Sequence, residues 1–133
     1  MAGEQRERGI DVVLWAAAVL CIAVTLWLSL WAVPPGASVF GGADKVEHAV
    51  AYFATALLVL LAAVWRPGRG DGVLARWEWW LVGAMALAGG AVELIQGRIG
   101  RDASLGDWAA EILAVACAAG VLASLRTRAG GER

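Results

Sequence analysis

Residues 12–31 form an apolar run without a single charge, long enough to cross roughly 30 Å of hydrocarbon as one helix. Three further uncharged runs follow at 49–65, 79–92 and 112–125. The last two are short for spans. They reach full length only if the third helix continues through Glu93 and Gln96 and the fourth reaches back through Glu111 and Asp107. The pattern therefore predicts spans at about 12–31, 44–65, 77–96 and 105–125, a four-span membrane domain over 12–126, and polar tails at 1–11 and 127–133.

Turn chemistry separates the runs. Residues 32–43 carry two prolines and three glycines, and Arg66-Pro67-Gly68-Arg69-Gly70-Asp71-Gly72 has no apolar face. Links this short make sequential helices antiparallel neighbours, so the expected fold class is all-α, an integral membrane four-helix bundle with short antiparallel connections. The alternative buries segments three and four inside a soluble domain. That needs polar surface to cover them, and a chain of 133 residues that is 60% hydrophobic offers little.

Charge adds an orientation. With the N-terminus inside, Arg6, Arg8, Arg66, Arg69, Arg76, Arg126, Arg128 and Arg133 are cytoplasmic, eight basic residues against Lys45, Arg98 and Arg101 outside. The positive-inside rule then predicts two cytoplasmic termini and excludes a nucleotide or nucleic-acid partner for groups on the outer side. The first run is not a removed signal sequence by this reading, because Glu4, Glu7 and Asp11 dilute its basic flank and Pro34-Pro35-Gly36 is a turn rather than a cleavage site. Cys21 and Cys117 fall near mid-span with no metal spacing and receive no redox role.

Tryptophan and small residues refine the frame. Trp15, Trp65, Trp77, Trp79 and Trp80 fall near the inner boundary and Trp31 and Trp108 near the outer one, as expected of headgroup anchors, with Trp27 about a turn deeper. Ala86 with Gly90, and Ala116 with Gly120, leave four-residue spacings at which helix backbones approach closely.

Two polar clusters carry the candidate chemistry. Asp44, His48, Tyr52 and Thr55 follow one helix face and descend into the bilayer from outside. Asp44 with Glu47 makes a capping arrangement, which leaves His48 and Tyr52 unexplained. His48 is the only histidine and the natural general acid or base. The second cluster is Glu93, Gln96, Arg98, Arg101, Ser104, Asp107 and Glu111, at the hairpin joining spans three and four. Ser104 can cap the fourth helix, and Asp107 and Glu111 share a face, the latter about 6 Å deeper by helix rise. An ionised Glu111 needs a partner, for which Arg98 and Arg101 are the candidates. One reading is an ion-paired network that locks the helices. The other is a pocket below the outer headgroups, with His48, Glu93, Asp107 and Glu111 moving protons and Asp44, Lys45, Tyr52, Gln96, Arg98, Arg101 and Ser104 holding a ligand. Arginine forks suit phosphate or carboxylate oxygens. No hydrolase triad, metal motif, cofactor motif or phosphate loop is present, so chemistry is permitted without being specified.

With Asp44-Lys45-Val46-Glu47-His48 and Tyr52, then Glu93-Leu94-Ile95-Gln96, Arg98 or Arg101, Ser104 and Asp107 in order, the chain resembles the VanZ-like family of small bacterial membrane proteins over roughly 44–125. Such proteins usually carry an asparagine one turn after the aspartate, where this chain has Glu111, a change in the charge of the pocket. The resemblance implies a multi-pass protein of the bacterial inner (cytoplasmic) membrane, some relatives being linked to low-level resistance to the glycopeptide teicoplanin, and implies no settled reaction. Three expectations follow. The first is an envelope protein that binds or processes an anionic lipid or lipid-linked cell-wall intermediate. The second is a noncatalytic structural or assembly module with a membrane-protein partner. The third is a small transporter built as a homo-oligomer.

Overall fold

The computed structural model describes residues 2–31, 43–64, 74, 76–100 and 104–131, of which 2–8, 43–45, 64 and 130–131 are described as backbone only. Four helices account for nearly all of it: α1 (Ala2–Leu30), α2 (Ala43–Val64), α3 (Arg76–Arg98) and α4 (Leu105–Gly131). Each is long and apolar enough to cross a membrane. α1 and α4 also extend beyond their apolar runs into polar sequence. Glu4, Gln5, Arg6, Glu7 and Arg8 are good helix formers with no proline among them, so nothing stops α1 short of Ala2.

The bundle closes in the order α1–α2–α4–α3. α2 packs most extensively on α4 and next on α1, α3 packs on α4, and the consecutive pair α2 and α3 touch only lightly across the diagonal. The reason lies in small residues. Ala56 and Leu60 of α2 meet Val115, Ala118, Ala119 and Leu122 of α4 in one buried cluster, where alanines let the backbones approach. A smaller cluster, Ala18 with Val59 and Ala62, joins α1 to α2. The expected pair Ala116 and Gly120 points outward instead, and Gly120 has nothing within reach of an added Cβ.

The outer surface is apolar. Only 22% of the apolar window of α3 and 33% of that of α4 is buried, which rules against two core helices wrapped by a soluble domain. Val12 and Leu20 of α1, Val50 of α2, Leu87 of α3 and Leu113 of α4 all lie exposed. In water this would be an aggregation surface; in hydrocarbon it carries no penalty.

Inside, polar groups tie helix to helix. The Thr25 and Thr55 hydroxyls share a 2.9 Å hydrogen bond, with Cys21 Sγ 3.2 Å from Thr55 Oγ1, joining α1 to α2. Gln96 Nε2 donates to the Ser29 carbonyl oxygen at 2.7 Å, joining α3 to α1. At the opposite end of α3, Arg126 presents Nη1 and Nη2 to Glu78 Oε2 and Oε1, each at 2.9 Å. Both residues are buried, so this bidentate pair clamps α3 to α4.

Removing one partner of that pair strands a buried charge. Arg126→Ala should therefore cost about 3–5 kcal/mol of stability, while the double change Glu78→Met with Arg126→Leu should recover most of it. Reversible unfolding in mixed micelles measures both.

Candidate functional site

The site is built at the hairpin end of α3 and α4. α3 closes with the Ile99 N–H donating to the carbonyls of Ile95 (3.1 Å) and Gln96 (3.2 Å), and Gly100 follows at φ 82°, a left-handed position that suits glycine. Ser104 then starts α4. Its carbonyl accepts from the Asp107 and Trp108 N–H groups, and its Oγ accepts from Gly106 N–H at 3.1 Å, which is the cap expected from sequence. Its own N–H donates to Glu93 Oε2 at 3.0 Å. One carboxylate of α3 thus holds the entrance of α4.

Glu93 is also where the two sequence clusters meet. His48 of α2, Glu93 of α3 and Asp107 of α4 each bring a donor atom to within 4.8 Å of the others, with His48 half-buried and both acids buried. Helical spacing explains the convergence. Asp107, Glu111, Ala114, Val115, Ala118, Leu122 and Arg126 are one continuous buried stripe of α4, and Tyr52, Thr55, Ala56, Val59 and Leu60 are its counterpart on α2. The polar groups are the upper steps of the same faces that form the core below.

Glu111 lies one turn beneath, 1% exposed, in the neighbourhood of Glu93, Asp107 and Tyr52. It packs against Gly89, where an added Cβ would collide with Glu111 Oε2, so the absence of a side chain at 89 makes the room that Glu111 occupies. Tyr52 Oη stands beside Glu111 and Ser29 without reaching hydrogen-bond geometry with either. Glu93 Oε1 and both Glu111 oxygens are likewise buried without a hydrogen-bond partner among the described residues. Neighbouring carboxyl groups repel one another where ionised, and a proton or a cation offsets that repulsion.

The remaining expected residues divide. Gln96 is used in the tie to Ser29, and Ser104 in the cap. Arg98 is exposed at the end of α3 and makes no ion pair with Glu111, which removes one of the two expected partners. Asp44 and Lys45 lie in the first turn of α2 with their side chains outside the described residues, and Arg101 lies outside them altogether. The Glu78–Arg126 clamp is not among the sequence expectations, in which Arg126 is only a topological charge. An acid among Trp77, Trp79 and Trp80, at the level of an arginine ending α4, was the available signal.

A groove opens beside the cluster. It encloses about 420 Å³ between α3 and α4, walled by Leu87, Gly90, Ala91, Leu94, Leu105 and Trp108, with Glu93 and Ser104 at its polar end. Its back is Trp108, placed as a headgroup anchor by sequence but here half-buried, its Nε1 donating to the Ala86 carbonyl at 2.9 Å. Ala86 and Gly90 face α4 as the spacing predicts, but it is the Trp108 indole rather than the α4 backbone that fills the space over Gly90.

Two glycines of α3 separate packing from propensity. Gly83→Ala meets nothing within 4 Å and should gain about 1 kcal/mol of helix propensity, whereas at Gly90 a Cβ would come 3.0 Å from the Trp108 ring. Gly90→Ala should accordingly forfeit that gain and cost about 1–3 kcal/mol in overpacking. Unfolding midpoints of the two variants in the same micelle give the comparison, and Trp108→Phe should restore part of the loss at Gly90.

Comparison of the chain with family models, curated proteins and solved structures finds no match.

Proposed function

We propose that this is a VanZ-like protein of the bacterial cell envelope that binds or processes an anionic lipid or a lipid-linked cell-wall intermediate. The observation that carries the reading is the apolar groove between α3 and α4 ending on a buried acidic cluster that includes the chain's one histidine. A polyprenyl or acyl chain would lie along Leu87, Ala91 and Leu94, and its polar head at His48, Glu93 and Asp107. Such a ligand reaches the groove from within the bilayer, because the walls are on the apolar surface. The excess of basic residues on the termini and second link supports a protein of the inner membrane with both ends cytoplasmic and the cluster facing out. His48, with Glu93, Asp107 and Glu111 beside it, is the proposed general acid or base at that level. A changed supply of such an intermediate would alter teicoplanin susceptibility.

A second reading, the noncatalytic assembly module, is supported by the use of Gln96, Thr25, Thr55 and the Glu78–Arg126 pair as helix ties. A locking role leaves Glu93 Oε1 and Glu111 unexplained, since a lock has its polar groups paired. The small oligomeric transporter has no observation of its own in its favour.

The test is native mass spectrometry of the full chain in lipid discs with a panel of anionic lipids that includes polyprenyl phosphates. Wild type should retain or modify one lipid selectively. Ala91→Trp, which fills the groove, and Asp107→Asn should each lower that retention by about tenfold, a change of about 1.4 kcal/mol, with helicity unchanged. Equal, unselective binding by all variants would favour the assembly module. If a bidentate guanidinium contact also holds the head, Arg101→Lys lowers retention as well; unchanged retention removes that residue from the site.

A further inference from the structure

We infer that His48, Glu93 and Asp107 form a binding site for a divalent transition-metal ion, of the zinc or manganese type, with Glu111 as the carboxylate beneath it.

Four features support this. The donors come from three separate helices and converge to within 4.8 Å, so the fold itself assembles the set. Ligand bonds to such ions are about 2.0–2.2 Å long, and a small closing movement of flexible side chains brings the three atoms onto one centre. Glu93 and Glu111, 6% and 1% exposed, hold carboxylate oxygens with no hydrogen-bond partner, a costly arrangement that a cation at the triad would relieve. Finally, Glu93 also lines the groove, so one ligand of the prospective centre borders a space in which a further ligand could approach.

The donor set selects the kind of ion. One imidazole nitrogen with two carboxylates suits zinc or manganese, whereas magnesium and calcium prefer an all-oxygen shell. Sequence reading gave no metal motif because the three ligands stand 45 and 14 residues apart, with none of the local spacings that mark a metal helix or ribbon. The Ser104 N–H bond to Glu93 Oε2 fixes the orientation of one ligand, in the manner of the outer hydrogen bonds that orient ligands in known metal sites.

The inference stands on these side chains and does not depend on the lipid reading, although a bound dication would add positive charge beside the carboxyl groups where an anionic head is proposed to sit. Its test is correspondingly separate. The full chain, free of any histidine tag, is placed in discs of zwitterionic phosphatidylcholine with no anionic lipid and labelled with ¹⁵N-histidine, of which it has one residue. Zn²⁺ alone is then titrated while the imidazole nitrogens are followed by NMR. The expected result is saturation at one equivalent per chain, with one ring nitrogen shifting to the metal-bound position. Glu93→Gln and Asp107→Asn should each weaken the binding by about 100-fold. Helicity of both variants is checked by circular dichroism, and Cys117→Ser, a change remote from the triad, should bind as wild type does. An imidazole signal that does not move with excess Zn²⁺ overturns the site, as does one that moves equally in wild type and in the Glu93→Gln, Asp107→Asn double variant. Selective polyprenyl phosphate binding without metal uptake would leave the lipid reading standing and the metal site refuted; the converse outcome separates them the other way.

Discussion

Hydrocarbon offers no hydrogen bonds, and the arrangement of this protein depends on that single constraint. Buried polar side chains on spanning helices are stabilised by partners on other helices, and the pairs formed here tie particular helices together. Thr25 finds Thr55, Gln96 finds the Ser29 carbonyl, and Arg126 finds Glu78. Apolar packing between α2 and α4 supplies contact area, but lipid tails are as apolar as leucine and give it little direction. The polar ties supply the direction.

Against that background the unpaired oxygens are informative. At the start of α3 the buried Glu78 is paired with Arg126, whereas at its other end, where three helix ends and an open groove coincide, Glu93 Oε1 and both Glu111 oxygens have no hydrogen-bond partner among the described residues. Gly89 and Gly90 sharpen the contrast, because adjacent positions on one helix make room respectively for a buried acid and for the indole that backs the groove. The same close approach of α3 and α4 therefore shapes both the polar and the apolar part of the site.

Much of this was legible in the sequence because helical periodicity is a local property. The uncharged runs fixed the number of helices, Ser104 announced its cap, and the spacing from His48 to Thr55 placed them on one face. The stagger between helices is not local. Nothing in the spacing of Asp107 and Glu111 says that Glu93 will stand opposite them while Arg98 points away, and nothing in the order of segments says that α2 will prefer α4 to its neighbour α3. Those outcomes come from alanines at 56, 118 and 119, whose value as contact points appears only when two faces are brought together. Ends of helices were also hard to read, since the polar residues 2–11 are good helix formers as well as good tail residues.

The Glu78–Arg126 clamp joins the start of the third helix to the end of the fourth, so it cannot exist until both have been made and have met. Its two 2.9 Å bonds also fix the stagger of the two helices: a slide of α4 along α3 by one turn, about 5.4 Å, would break both at once and leave two buried charges apart.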